Sequence, residues 1–219
     1  MDLERFLSSL TAFKPHENVS ARILALYSAA IAMASDKALS SVISLGQSYS
    51  VQRDQFYEIM LQSYLFLGFP RMLIAAENLA GFYPNEQIQT RLCQVDSNES
   101  TAWFKNGISL CKRVYGSNFE PLKTRVESLA PEVFRWMIIE GYGKVLSRSG
   151  LDIVDRELAI VASLMVENRE KQLFSHMKGA LNVGTDETLL KIIVDDLGAA
   201  AGDGYQTALA ILTKLENGS

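Results

Sequence analysis

The stretch RELAIVASLMVENREKQLFSH, residues 156–176, decides the fold. Apolar residues recur at 158, 161, 164 and 165, and again at 173, 177, 180 and 181, which is the spacing of amphipathic α-helices. The polar residues between these two runs predict a tight turn. Two ionisable residues, Glu157 and His176, fall on the helix faces that we expect to point inward.

Helical patterns continue along the rest of the chain, and strand-like alternation is absent over any useful length. Glycine-rich and polar breaks separate the periodic segments. Pro131, followed by Glu132, is typical of a helix start, and Thr185-Asp186-Glu187 predicts another helix start just after a closing glycine. The sequence therefore predicts an all-α protein of roughly ten helices.

Composition excludes several classes of function for this chain of 219 residues. A net charge of −4 and a pI of about 5.3 offer no basic stripe for nucleic acid or an anionic membrane. The start lacks a signal-peptide core, and the longest apolar run, 23–34, is too short to span a bilayer. Cys93 and Cys111 have neither a CxxC nor a zinc-type spacing, which favours a reducing compartment. We expect a cytoplasmic protein without nucleic-acid or membrane partners.

An internal repeat becomes visible when the chain is aligned with itself at an offset of 134. SARILALYSAAIAMASDKALSSV, residues 20–42, then lies over VDRELAIVASLMVENREKQLFSH, residues 154–176, without a gap. The identical pairs include Arg22 with Arg156, Lys37 with Lys171, Leu39 with Leu173 and, further on, Gly68 with Gly202. The predicted organisation is an N-terminal helical unit (1–85), a connecting helical segment (86–150) and a C-terminal helical unit (151–219).

The two units differ at the positions that carry the ionisable residues. Glu157 aligns with Ile23, and His176 aligns with Val42. The first unit thus indicates what a purely structural core requires at these positions. The second unit departs from that pattern twice, which makes Glu157 and His176 candidates for function.

A family resemblance rests on three stretches. LSRSGLDIVDRELAIVASL (146–164) and EKQLFSHMKGALNVGTDETLLKII (170–193) resemble the carboxymuconolactone decarboxylase and alkyl hydroperoxidase D-like family. QSYLFLGFPRMLIAAENL (62–79) resembles the closing helix of the same unit. The resemblance implies all-α units that assemble into oligomeric rings. We therefore expect an obligate-type homo-oligomer, a dimer or trimer of duplicated chains.

The peroxidase branch of that family carries a glutamate, a CxxC pair and a histidine on this hairpin. Glu157 and His176 match the glutamate and the histidine, but Arg169 and Gln172 stand where that branch has its cysteines. A thiol peroxidase requires a thiolate nucleophile and a resolving thiol. Thiol peroxidase activity is therefore not expected here.

The decarboxylase branch requires no cysteine, and the resemblance implies cofactor-free lyase chemistry on a small carboxylated, lactone-type compound. Such a reaction requires a proton donor, a dry pocket and a cation for the carboxylate. We predict that His176 and Glu157 are catalytic. The predicted substrate-binding residues are Arg148, Arg169, Gln172 and Tyr142. No glycine-rich phosphate loop or metal-ligand cluster is present, so neither a metal nor a cofactor is predicted.

Three alternatives stay open from the sequence. The chain could be a non-catalytic oligomeric or ligand-binding member of the family, because its first unit already lacks the Glu/His pair. Glu157 could instead form a structural ion pair with an arginine such as Arg156. A less favoured alternative is residual antioxidant chemistry through Cys93 or Cys111.

Overall fold

The computed structural model describes residues 2–15, 17–84 and 97–217, with the side chains of 97 and 98 excepted. All regular structure in these ranges is helical, so the all-α prediction is confirmed. The α-helices are α1 (Leu3–Thr11), α2 (Val19–Met33), α3 (Asp36–Ser48), α4 (Arg53–Phe82), α5 (Ser97–Tyr115), α6 (Phe119–Leu129), α7 (Pro131–Trp136), α8 (Ile153–Val166), α9 (Glu170–Val183), α10 (Glu187–Leu197) and α11 (Asp203–Glu216). Short 3₁₀ helices span Gly116–Asn118 and Gly198–Ala201, and a π-helical segment spans Met137–Leu146.

Two helices, α2 and α8, pack against each other at the centre of the molecule. Every residue from 21 to 32 and from 156 to 165 is buried, so neither helix keeps a solvated face over these stretches. A helix that is apolar all round has to be enclosed by its neighbours. The remaining helices enclose this pair, and most buried apolar side chains join one continuous core.

Helix boundaries repeat at the offset found in the sequence. The first residues of α2, α3 and α4 are 19, 36 and 53, and those of α8, α9 and α10 are 153, 170 and 187, so each pair is 134 apart. Gly68 and Gly202 both have positive φ angles, 79° and 60°, at equivalent bends. Glycine adopts this conformation without the Cβ strain of other residues. The tandem duplication stays a prediction, and these boundaries support it.

Two buried arginines make matching contacts across the units. Arg22 donates from Nε and Nη2 to the carboxylate of Asp196, at 2.7 Å each. Arg156 donates from Nη1 to Oε1 of Gln62 at 3.2 Å, and positions 62 and 196 are again 134 apart. Each arginine also caps a backbone carbonyl eight residues earlier, that of Lys14 for Arg22 and that of Arg148 for Arg156. The two predicted units are therefore joined by reciprocal contacts.

The long helix α4 bends at Gly68. Among the described helices it is the one with the length and apolar composition that could cross a membrane, a property that buried core helices share. Its N-terminal half contributes Phe56 and Ile59 to the core and the polar Glu58 and Gln62 to contacts with Arg156. This half is thus bound within the protein itself.

The segment between the two units packs onto the C-terminal one. Helix α5 lies against α9 and against the π-helical segment. A Cβ atom on Gly107 would lie 2.1 Å from the carbonyl oxygen of Ile138, and one on Gly143 would lie 2.0 Å from that of Trp103. Only glycine allows backbones to approach so closely. The domain division stays a prediction, and its boundary at 85/86 borders residues outside the described ranges.

Candidate active site around Glu157 and His176

The α8–α9 hairpin brings the two candidate catalytic residues together. Asn168 has a φ of 48°, and this left-handed residue lets the chain reverse between Val166 and Glu170. Nδ1 of His176 lies 2.9 Å from Oε2 of Glu157. Glu157 is 0% exposed and His176 is 5% exposed. The sequence pattern correctly predicted that both side chains face inward. In the structure they form a hydrogen-bonded pair.

A glycine on α9 makes room for the carboxylate. A Cβ atom on Gly179 would lie 3.1 Å from Oε2 of Glu157 and 2.8 Å from Cγ1 of Val114. The helix backbone therefore approaches the carboxylate more closely than any residue with a side chain would allow. Gly179 belongs to the site as a positioning residue.

The second carboxylate oxygen, Oε1 of Glu157, is buried and has no hydrogen-bond partner among the described residues. A buried oxygen without a partner costs roughly 1–3 kcal/mol, and more when it carries charge. Proteins tolerate few such groups, and those that occur need a functional or structural reason. This oxygen therefore keeps an unused capacity to accept a hydrogen bond.

Aromatic rings enclose the imidazole. The ring of Phe66 lies edge-on at 5.3 Å and that of Tyr115 at 6.5 Å from the ring of His176, measured between centroids. Tyr142, predicted as a substrate-binding residue, is buried with its ring 6.2 Å from that of Tyr115. Of the predicted site residues, Tyr142 is therefore the one that lies near the pair.

Both phenols near the pair hold their protons. Burial, more than the charge of Glu157, raises the pKa of Tyr115 to about 12. The pKa of Tyr142 is raised well above 10 by burial first and by neighbouring groups second. Because both side chains stay neutral near pH 7, each supplies a hydroxyl donor and no negative charge.

Cys111 lies in the same buried region, one helical turn from Tyr115. Burial, with a smaller effect of the Glu157 charge, raises the pKa of its thiol to about 12. The thiolate is the nucleophilic form of cysteine, so this thiol is unreactive near neutral pH. Cys93, the other cysteine, lies outside the described residues.

Arg148, a predicted carboxylate anchor, is bound to a carboxylate of the protein itself. Its Nε and Nη2 atoms donate to Glu58 at 2.8–3.1 Å, and Nη2 of Arg156 donates to the same carboxylate at 2.8 Å. Burial acts to raise the pKa of Glu58, but hydrogen bonds from the two arginines outweigh it and the net shift is downward. Arg156 thus pairs with Glu58 and not with Glu157.

Arg169 and Gln172, at the positions of the peroxidase cysteines, lie on the outside of the hairpin. The Arg169 side chain is 64% exposed, with Nη2 3.7 Å from Oε2 of Glu167, a residue that also pairs with Arg71. Gln172 is exposed. The structure thus groups Glu157, His176 and Tyr142, and places Arg148 and both hairpin residues in other environments.

Sequence reasoning missed Tyr115, Phe66 and Gly179 as neighbours of the pair. Tyr115 and Cys111 are four residues apart on α5, a spacing that places them on one helix side. That spacing was the available signal, but nothing in it indicates which helix α5 would meet. No group of three or more His, Cys, Asp or Glu residues suited to a metal occurs in the described part of the chain.

Comparison with known proteins gives a family match that includes the α8–α9 hairpin. Residues 131–214 match the model of the carboxymuconolactone decarboxylase family, and this range contains every predicted site residue. The match confirms, for this part of the chain, the family resemblance found in the sequence.

Two curated relatives carry the name Peroxisomal protein 2. The one from Schizosaccharomyces pombe is 26% identical over 132 residues, which cover 58% of this chain and 59% of that protein. The one from Saccharomyces cerevisiae is 26% identical over 90 residues, 41% of this chain and 32% of that protein. The chain thus spans about three-fifths of the former relative and a third of the latter.

Proposed function

We propose that the chain catalyses cofactor-free proton transfer, of the decarboxylase type, on a small carboxylated compound at the Glu157–His176 pair. The observation that carries the proposal is the buried Oε1 of Glu157, which has no partner in the described structure while Oε2 is held by His176. A plain structural pair would gain by satisfying both oxygens. A carboxylate oxygen that has no hydrogen-bond partner and lies beside a histidine suits a group that exchanges a proton with a ligand.

The proposed reaction begins with an unsaturated lactone acid. The bond between its ring and the carboxylate carbon breaks, CO₂ leaves, and the electron pair moves into the conjugated lactone carbonyl as a dienolate. The Glu157–His176 pair then supplies a proton to the allylic carbon, and solvent restores that proton. The neutral phenol of Tyr142 would donate a hydrogen bond to the enolate oxygen, where charge develops.

Arg148, Arg169 and Gln172 stay proposed as substrate-binding residues. For Arg148 this role requires a substrate carboxylate to share the guanidinium with Glu58. Arginine suits such a role because its fork of donors matches a carboxylate.

The chain itself supplies the variant that tests the proposal. The first unit packs Ile23 and Val42 at the equivalent positions, both buried. The double variant Glu157→Ile with His176→Val therefore keeps a core that this fold already uses. We expect it to fold and to lose CO₂ release from a panel of unsaturated lactone acids. Single variants Glu157→Gln and His176→Ala that both keep full activity would contradict the proposal.

The second candidate function is a non-catalytic oligomeric or ligand-binding role, which the near-complete burial of the pair favours. It predicts no turnover by the natural chain on the same panel. Thiol peroxidase activity is not proposed, because the CxxC pair is absent and the pKa of Cys111 is raised.

Self-association remains part of the proposal. Phe69 and Leu73, four residues apart on α4, are 60% and 55% exposed, and paired exposed apolar side chains suit a contact with a second copy. Sedimentation of Phe69→Glu should show a smaller species than the natural chain. Leu129→Glu, at a residue 78% exposed on α6, is the matched control.

The compartment proposed from the sequence is the cytoplasm, and the names of the two relatives suggest the peroxisome as the alternative. Fluorescence of a tagged full-length protein beside a peroxisomal marker separates the two. Punctate overlap with the marker would overturn the cytoplasmic assignment.

A further inference from the structure

Two adjoining cavities run along the outer face of α9. One, of about 690 Å³, lies between α9, α6 and α11, and the other, of about 250 Å³, lies between α9, α6 and the end of α5. Arg125, Phe174 and Ser175 line both. We call this continuous depression the cationic groove.

The charge of the groove is opposite to that of the whole chain. Arg125, Lys171 and Lys214 line the larger cavity and Lys178 the smaller one, although the chain has a net charge of −4. Among the described residues that line the groove, Glu170 is the one acid. None of the four cations forms a salt bridge with a described residue. The groove therefore concentrates positive charge that no salt bridge within the described residues neutralises.

Apolar side chains, which we call its floor, also line the groove. Phe174 and Ile211 line the larger cavity, and the Nζ atom of Lys214 lies 4.9 Å from the centroid of the Phe174 ring. An apolar floor beneath cations matches a ligand with an anionic head and an apolar body. Inorganic phosphate would use the cations but not the floor.

One residue separates the groove from the candidate active site. Tyr115 lines the smaller cavity, and the centroid of its ring lies 6.5 Å from that of the His176 imidazole. A ligand in the groove thus lies one aromatic ring away from the pair. Arg148 is already paired with Glu58. The groove cations therefore have fewer competing partners than Arg148 for binding a substrate carboxylate.

We propose that the cationic groove binds an organic carboxylate with an apolar body, and that a substrate reacting at Glu157 and His176 anchors there a carboxylate other than the one it loses as CO₂. The assignment of this ligand as substrate rests on the proposed function. Binding of a carboxylate in the groove does not rest on the proposed function. A measurement of binding without turnover therefore tests the groove separately from the proposed reaction.

The first unit supplies an internal comparison. A cavity of about 640 Å³ lies on the same face of α3, lined by Lys37 and by serines at 40, 41, 44 and 48. These positions align with Lys171, Phe174, Ser175, Lys178 and Asn182. The equivalent cavity therefore keeps one cation and lacks the aromatic floor, and Lys37 is the matched control for Lys171.

The test is calorimetric titration of the full chain with octanoate, and with octanol as the uncharged counterpart. We expect saturable binding of octanoate and at least severalfold weaker binding of octanol. The variant with Lys171→Gln and Lys214→Gln should bind octanoate roughly tenfold more weakly, because each exposed cation contributes up to about fivefold. Lys37→Gln should bind as the natural chain does.

Several results would overturn the proposal. The first is that the natural chain does not bind octanoate. The second is that the Lys171/Lys214 variant binds octanoate as tightly as the natural chain does. The third is that Lys37→Gln weakens octanoate binding as much as the Lys171/Lys214 variant does. Sedimentation is measured in parallel, since dissociation of an oligomer by the groove variant would show that a second copy occupies the groove. The Glu157→Ile, His176→Val variant should still bind octanoate, so a failure of the proposed chemistry leaves this result intact.

Discussion

Nη2 of Arg156 lies 2.8 Å from Oε2 of Glu58, and both side chains are buried between the two units. Arg148 reaches the same carboxylate from the loop before α8. One carboxylate thus forms ion pairs with two guanidinium groups and ties α4 to the C-terminal unit.

Removing this carboxylate should destabilise the fold strongly. Glu58→Ala leaves the buried Arg156 without its counter-charge, and breaking a buried pair in this way costs about 3–5 kcal/mol. Urea unfolding followed by circular dichroism measures the loss. Asp54→Ala on the same helix is the control, because the Asp54 side chain is 87% exposed and its pair with Arg53 is expected to contribute less than about 1 kcal/mol. Equal losses in the two variants would contradict the assignment.

The same carboxylate predicts a loss of stability in acid. The pKa of Glu58 is lower in the folded chain than its usual 4.5, since the arginine hydrogen bonds outweigh burial. The stabilisation is therefore complete above pH 4.5 and is lost as the pH falls through the folded pKa. Glu58→Gln should flatten this part of the pH profile of unfolding free energy. An unchanged slope would show that other carboxyls account for the acid sensitivity.

The Glu157–His176 pair should show strong coupling in stability. His176→Val alone leaves Glu157 buried without a partner, at a cost of about 3–5 kcal/mol, whereas the double variant with Glu157→Ile restores apolar packing and should be neutral or stabilising. A double-mutant cycle measured by urea unfolding gives the coupling directly. Additive losses would indicate that the two side chains do not interact as the 2.9 Å contact requires.

Periodicity predicted the parts of the fold that are local. The helix starts at Pro131 and Glu187 and the inward faces of Glu157 and His176 follow from spacing within single helices, and all are present. The pairing of Glu58 with Arg148 joins residues 90 positions apart, and spacing within a helix carries no such information. Tyr115 was missed for the same reason, because its place beside His176 depends on how α5 packs on α9.

The π-helical segment Met137–Leu146 shows a second limit of the pattern. Its apolar spacing resembles that of an α-helix, so the sequence predicts nothing unusual. Helix α5 and the π-helical segment approach each other closely at Gly107 and Gly143, and this approach accompanies the wider π-helical turn. Tyr142 lies within the π-helical segment. The position of a candidate site residue thus depends on a tertiary contact between two backbones.

Cys111 should be inert in the native protein. With the thiol pKa raised to about 12 by burial, very little thiolate exists at pH 7. In a Cys93→Ser background, a chromogenic disulfide reagent should label Cys111 only after denaturation. Rapid labelling of the native chain would revive the thiol alternative.

Gly179 should be intolerant of a single added methyl group. In Gly179→Ala the new Cβ would lie 2.8 Å from Cγ1 of Val114 and 3.1 Å from Oε2 of Glu157, so either Val114 or the carboxylate has to move. Overpacking of this kind costs about 1–3 kcal/mol, measured as a fall in the free energy of unfolding. Adding Val114→Ala removes the closer contact and should recover part of the loss. Gly81→Ala is the control, since a Cβ there meets nothing within 4 Å and alanine favours the helix by about 0.5–1 kcal/mol. Equal stability of Gly179→Ala and the natural chain would mean that the carboxylate has freedom to move, and the 2.9 Å contact with His176 would then not be fixed by packing.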